Sequence, residues 1–364
     1  MPKKVLFASA HLDRLAAEAS FPYKYEQMIA KAGFEKRFAG KSVAIKMHLG
    51  GGSAIYTLHP FFVRTVVQAI QEVGGRPFVT DGTSAFFNAH KQGYTHEVLG
   101  CPILPAAGIA DKYLYREAVG YDTLDEVELC GNVVDADALL VLSHGKGHGH
   151  CGYGGAIKNI AMGCVSMKTR GRIHALMSGN FEWDGEICTH CMQCRDNCPT
   201  SAISFDKQGE FSVMDHHCRY CMHCVSACPV QGLKVDQSRY RHFQMGMAWT
   251  VKKCLAHFDK KSIYFISVLN NITPLCDCWG WSTQPLVPDV GAVAGDDIAA
   301  VEKASLDLID TVDYIPGTLP DQMKMGKKGH LLQRVHAKDP YLQVECCEEL
   351  KVGSADYTLT KIGQ

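Results

Sequence analysis

Residues 188–199 read CTHCMQCRDNCP, and residues 218–229 read CRYCMHCVSACP. Both follow C-x2-C-x2-C-x3-C-P. Three closely spaced cysteines wrap one side of an iron–sulfur cube, and in a two-cluster arrangement the fourth reaches the other cube. That rule assigns Cys188, Cys191, Cys194 and Cys228 to one [4Fe–4S] cluster. It assigns Cys218, Cys221, Cys224 and Cys198 to the second. Pro199 and Pro229 turn the chain away after each crossing cysteine. Zinc ribbons use paired C-x2-C knuckles with longer gaps, so they fit this double run less well. Clusters of this kind move single electrons.

A second constellation precedes the first. Residues 143–164 read SHGKGHGHCGYGGAIKNIAMGC. The glycines forbid a regular helix in its first half and permit close backbone approach. A helix over Ala156–Met162 would present free N–H groups at its start, which attract anions. Lys146 and Lys158 add positive charge, so a carboxylate or phosphate pocket is one reading. A metal site is another: His144, His148, His150 and Cys151 are candidate ligands, and Cys276 and Cys278 form a C-x-C pair farther along. A third is a structural glycine loop, with Cys276 and Cys278 packed as small hydrophobes. The stretch lacks the order of a Walker P-loop and the G-x-G-x-x-G dinucleotide fingerprint. KMHLGGG at 46–52 repeats the theme and adds Lys46 and His48. Asp81 is a ligand, a base or, as the favoured single role, a helix cap for the segment that follows, and His174 faces the pocket, a cluster or the surface. Cys101, Cys130, Cys254, Cys346 and Cys347 have no ligand spacing.

The elements that must position these residues are short apolar runs: Lys4–Ala8, Ser42–Met47, Pro77–Thr80, Ala138–Ser143 and Ser262–Leu269. Nearly continuous apolar strands are buried on both faces. Helical patterns lie between them, the clearest over Pro60–Val73, with proline at its start and Gly74-Gly75 after its end. The alternation predicts an α/β fold, a mostly parallel sheet flanked by helices. Ligands then gather at the carboxyl ends of strands, where His48, Asp81 and His144 fall. The cysteine-dense segment interrupts this pattern. The expected organisation is an α/β first part over 1–184, an inserted α+β two-cluster ferredoxin-like module over 185–237, an α/β continuation over 238–319 and a peripheral C-terminal extension over 320–364.

Bulk properties exclude other classes. The chain has 364 residues, 46% hydrophobic, with formal net charge −1, enough for a large core. It lacks the basic footprint of a nucleic-acid binder. No apolar run approaches the ~20 residues of a membrane helix. Its start, MPKKVLFASAHLD, is too short and too soon charged for a secretory signal, so a cytoplasmic location is expected. Seventeen cysteines in a reducing compartment point to metal binding over disulfides.

Lys46–Gly50, Asp81-Gly82-Thr83, SHGKGH (143–148), GYGGAIKNIAMGC (152–164), the two cysteine runs, NITPLCDC (271–278) and VPDVGAVAGDD (287–297) occur in that order. In this the chain resembles the uncharacterised iron–sulfur-centre protein family, a domain of unknown function with an inserted two-cluster ferredoxin, over roughly residues 1–315. The resemblance implies bacterial or archaeal cytosolic proteins, often of anaerobes, with two [4Fe–4S] clusters. It marks His48, His144, Lys146, His148, Lys158, Asn159, Cys276 and Cys278 as signature positions without assigning their roles. Where family members tend to carry Lys-Asp-Pro, this chain has Asp296-Asp297-Ile298. A more distant likeness of layout is to nickel-dependent lactate-racemase-type proteins, with no local motif behind it.

Two functions are therefore expected. In the first, a redox enzyme binds a small anionic substrate or organic cofactor through Lys46, His48, Lys146, Lys158 and Asn159. His144 or His148 moves protons, and the clusters deliver electrons from a donor protein. In the second, the chain is an electron carrier or reductive-maturation partner that docks another protein and has no substrate of its own. His150, Cys151, Cys276 and Cys278 are the candidates for an additional metal ion.

Overall fold

The computed structural model describes residues 2–177, 181–198, 200–214, 218, 220, 222–236, 238–319 and 325–363. Eight strands form one sheet: β1 Lys3–Ser9, β2 Ser42–Lys46, β3 Arg76–Asp81, β4 Ile103–Pro105, β5 Ala138–His144, β6 Ile263–Leu269, β7 Gly291–Gly295 and β8 Tyr357–Lys361. Their order is β8-β1-β7-β6-β5-β2-β3-β4. Only β7 runs antiparallel to its neighbours; every other pairing is parallel. The sheet is therefore mostly parallel, as the apolar runs predict.

Alternate residues of each strand feed two apolar layers. In β5, Leu139 and Val141 join one layer, while Ala138, Leu140 and Leu142 join the other. The second layer is closed by helices α1 (Phe21–Ala30) and α2 (Pro60–Glu72). The first is closed by α3 (Ala156–Gly163), α4 (Met167–Ala175), α5 (Ser238–Leu255), α6 (Ile298–Ile309), α7 (Leu331–His336) and α8 (Leu342–Glu349).

The C-terminal stretch differs from its expected peripheral position. β8 pairs with β1 at the sheet edge, and Cys346 and Cys347 are buried on α8 in the main core. The alternating polar sequence of β8 is that of an edge strand, with one face toward water.

The cysteine-rich segment lies between α4 and α5 and repeats its backbone at an interval of 30. Strand 181–183 corresponds to 211–213, and 203–205 to 233–235. The first pairs with the last and the middle two pair with each other, all antiparallel. His190 and Tyr220, Met192 and Met222, and Ser201 and Gln231 all have positive φ. The repeat legible in the cysteines thus extends through strands, turns and short helices.

The glycine-rich stretch forms an antiparallel hairpin of Lys146–His148 with Gly152–Gly154, leading into α3. A Cβ on Gly147 would stand 2.4 Å from the Pro274 carbonyl oxygen, so only glycine lets this strand lie against the 273–278 segment.

Candidate functional site

A cavity of about 250 Å³ opens at the carboxyl ends of β2, β3 and β5, where α3 and the 276–278 turn meet. Its wall includes Lys46, His48, Lys158, Arg170, Cys276 and Cys278.

Two buried aspartates organise it. Asp81, the last residue of β3, holds Lys46 Nζ at 2.9 Å and His48 Nδ1 at 2.8 Å. It also accepts from the Leu49 backbone N–H at 3.0 Å. Burial alone would raise its carboxyl; Lys46 and His48 outweigh that and hold it well below the usual carboxylate range. Asp81 is therefore an ion-pair hub. The helix that follows (Thr83–Asn88) has Gly82 at its N-cap and no side-chain cap, so the expected capping role is absent.

Asp277 is the second hub. Its Oδ1 accepts from Lys146 Nζ at 2.7 Å, and its Oδ2 faces His144 Nδ1 at 3.0 Å. Here too burial raises the carboxyl, and His144 and Lys146 together hold it low. Lys146 also donates to the Tyr56 carbonyl at 2.6 Å, and His144 Nε2 donates to the Asn270 carbonyl at 2.7 Å. Lys146 and both ring nitrogens of His144 are thus committed to fixed partners. They hold the 276–278 turn in place, and neither offers a free atom to a ligand.

Lys46 lines the cavity, but its Nζ also donates to Asn159 Oδ1 at 2.6 Å and to the Met47 carbonyl at 2.9 Å. The Asn159 amide donates to the carbonyls of Lys46 (3.2 Å) and Leu142 (3.1 Å) and to Ser143 Oγ (3.1 Å). It ties α3 to the ends of β2 and β5, beneath the cavity. His48 differs: Asp81 orients Nδ1, while Nε2 has no hydrogen-bond partner among the described residues. The ring thus lies at the cavity wall with Nδ1 fixed by a carboxylate and a buried, unpartnered Nε2. Arg170 of α4, overlooked in the sequence, lines the same cavity, and its guanidinium has no carboxylate partner among the described residues. No strand-end signal marks it, because it reaches the cavity from within α4, the helix that follows α3.

On one wall, Lys158 Nζ lies 3.6 Å from both Cys276 Sγ and Cys278 Sγ. Burial pulls this ammonium down, but the two sulfurs prevail and hold it above the ordinary lysine range. The hydrogen bond from Cys276, with Lys158, draws the Cys278 thiol down to about 6 against burial, while Cys276 is pushed up. His148 Nε2 lies 3.6 Å from Cys278 Sγ, and its burial keeps the ring neutral. His148, Cys276 and Cys278 place one ligand atom each within 4.8 Å of one another and could hold a metal ion. Among the described residues no other such group converges this closely. His150 and Cys151 lie behind the hairpin instead. The His150 ring packs against His174 (4.6 Å) and Phe243 (5.8 Å), and Cys151 donates to the Tyr153 carbonyl at 3.0 Å.

The cysteine runs surround two further cavities. Cys188, Cys191, Cys194 and Cys228 line one, and Cys198, Cys218 and Cys224 line the other. Cys221 and Pro199 lie outside the described residues. Backbone N–H groups of Ala202 and Gly232 donate to Cys198 Sγ (3.2 Å) and Cys228 Sγ (3.3 Å), again 30 residues apart.

Residues 43–307 match the family described as Domain of unknown function (DUF362). The chain belongs to that family. The DUF362 match includes both aspartate hubs, the hairpin, the cysteine runs and the C-x-C turn. Comparison with curated proteins finds no match. Among solved structures, the lactate racemase apoprotein from Thermoanaerobacterium thermosaccharolyticum is similar over 80% of this chain, at 12% identity and a TM-score of 0.36. The chain spans 54% of that protein's length. Among the described residues, no helix is long and apolar enough to cross a membrane.

Proposed function

We propose that this DUF362 chain is an iron–sulfur redox enzyme that works on a small anionic substrate or cofactor in the 250 Å³ cavity. One observation carries the iron–sulfur part. Cys188, Cys191, Cys194 and Cys228 ring a cavity, yet their sulfurs do not converge to single-ion distance. That spacing suits a cube with four separate corners and does not suit one zinc ion. The repeated N–H···S bonds and left-handed turns support two equivalent cradles. Cys188, Cys191, Cys194 and Cys228 would hold one [4Fe–4S] cluster. Cys198, Cys218, Cys221 and Cys224 would hold the other. Bound clusters supply single electrons, delivered by a donor protein.

The chain's own residues do the rest. Arg170 supplies the cavity's unbalanced positive charge, and Lys158 adds a cation beside the thiols, so a carboxylate or phosphate is the favoured ligand. His48 Nε2 gives or takes a proton, with Asp81 fixing the ring. Lys146 and His144 position the C-x-C turn through Asp277. This distribution supports an enzyme over a carrier, since a docking protein has no use for a cationic cavity with an oriented imidazole.

Elemental analysis of protein purified without oxygen tests the reading. Two cubes give about eight irons and eight sulfides per chain, with the paramagnetic signals of reduced clusters. Fewer than four irons, or zinc in four-sulfur shells, rejects it.

A further inference from the structure

The C-x-C turn belongs to neither cysteine run, and its geometry is unusually well fixed. Cys276 is the N-cap of a short 3-10 turn over Asp277–Trp279, and Asp277 is pinned by Lys146 of the hairpin and by His144 at the end of β5. Gly147 brings that hairpin against the 273–278 segment, and its N–H donates to the Thr273 carbonyl at 2.9 Å. The same strand ends at His148, whose Nε2 faces Cys278 Sγ at 3.6 Å. An imidazole nitrogen and a thiolate bound to one tetrahedral ion at ~2.0 and ~2.3 Å stand about 3.6 Å apart. Two elements distant in sequence are therefore locked together at a ligand-to-ligand spacing.

We propose that His148 Nε2, Cys276 Sγ and Cys278 Sγ bind one thiophilic divalent ion of the zinc class, with a fourth position open to the anion cavity. Two thiolates and a neutral imidazole suit such an ion, and three protein ligands with one open position is the pattern of catalytic zinc. Cys276 and Cys278 line the cavity that also holds Arg170, so an anionic ligand there completes the shell. Lys158, 3.6 Å from each sulfur, faces both and would donate to them as thiolates once an ion is bound. His148 Nδ1 accepts from the His150 backbone N–H at 3.1 Å, so metal at Nε2 requires the ring hydrogen to move to Nδ1, breaking that bond and turning toward Cys151 Sγ, 3.3 Å away. The ion would act as a Lewis acid on the bound anion. The site does not depend on the iron clusters, because it shares no residue with the cysteine runs.

The test uses the full chain purified without oxygen, equilibrated with Zn2+ and freed of loose metal by gel filtration. One retained zinc per chain is expected alongside the iron. X-ray absorption at the zinc edge should show two sulfurs near ~2.3 Å and nitrogen or oxygen near ~2.0 Å. Cys278→Ser should weaken zinc binding at least tenfold, and Cys276→Ser/Cys278→Ser should abolish it, with iron content unchanged. A wild-type chain that retains no zinc overturns the proposal, as does zinc in a four-sulfur shell or zinc retained by the double variant. The absorption measurement needs no variant, so a misfolded mutant does not blunt the test. Iron and zinc are counted separately, so failure of the cluster reading is distinct from failure of this one.

Discussion

Asp277 sits between the two cysteines of the C-x-C turn, and its Oδ1 accepts from Lys146 Nζ at 2.7 Å, both side chains being buried. A charge in the glycine hairpin therefore sets the position of two thiols over a hundred residues away. Lys146→Met leaves a buried carboxylate short of its main cation, which costs about 3–5 kcal/mol. Lys146→Met/Asp277→Asn should cost much less than the sum of the single changes. Denaturant unfolding of all three variants measures this, and additive losses would show that the pair is not coupled.

Arg170 is predicted to be the main anion anchor. Arg170→Gln should weaken binding of a small dianion such as oxalate, titrated by calorimetry, by roughly ten- to a hundredfold, the worth of a charged hydrogen bond. The iron content should not change. Equal affinity in the variant would remove Arg170 from the site.

His48→Gln should retain the wild-type iron content and the fold, because the residue sits at the cavity wall and only its Nδ1 has a partner. If His48 moves protons, turnover falls about 10²–10⁴-fold, while oxalate affinity changes much less. A variant with unchanged turnover assigns the proton to another group.

Glu302 gives the fold a pH signature. It is fully buried on α6 and accepts from the backbone N–H groups of Ala156 (2.8 Å) and Ile157 (3.4 Å) at the start of α3. Burial, only partly offset by those two bonds, pushes its carboxyl up to about 8. The folded chain thus binds this proton more tightly than the unfolded chain. Its contribution is complete below the ordinary carboxylate range and is lost as pH rises to about 8. Glu302→Gln should flatten that decline in urea midpoints measured between pH 5 and 8. An unchanged slope would assign it to other groups.

The left-handed turns of the cysteine repeat offer a local test. Ser201 and Gln231 are exposed and equivalent, with φ of 51° and 53°. Glycine at either position relieves a strain of about 1 kcal/mol, and valine adds to it. Thermal melts without oxygen should rank glycine at or above wild type and valine below it. The opposite order would mean the side chains outweigh the backbone.

Much of the sheet was legible because β2, β3, β5 and β6 are continuous apolar runs. Gly291–Gly295 was not: GAVAG carries little strand preference, and its antiparallel place depends on lying between β6 and β1, the latter more than 280 residues earlier. The site was legible by residue type and illegible by role. His144 and His48 follow strands alike, but the nitrogens of His144 are taken by Asn270 and Asp277, 126 and 133 residues away. No local pattern encodes such partners. Asp277 was passed over for the same reason, as a polar residue between two cysteines. The cysteine runs are the opposite case, since their ligand spacing is itself local.

Lys338, buried in the segment expected to be peripheral, donates both to the Gly149 carbonyl in the glycine hairpin and to the Tyr220 carbonyl in the second cysteine run. Translation turns this clamp into a clock. Tyr220 leaves the ribosome 118 residues ahead of Lys338, an interval on the order of ten seconds at ordinary elongation rates. Throughout that interval the second cradle and the hairpin have emerged but are not yet tied to each other. The hairpin and the second cysteine run can therefore be joined through this side chain only after residue 338 has been made. Arrested chains ending before and after residue 338 should differ in protease protection of residues 146–154. Equal protection would mean the hairpin closes without its lysine.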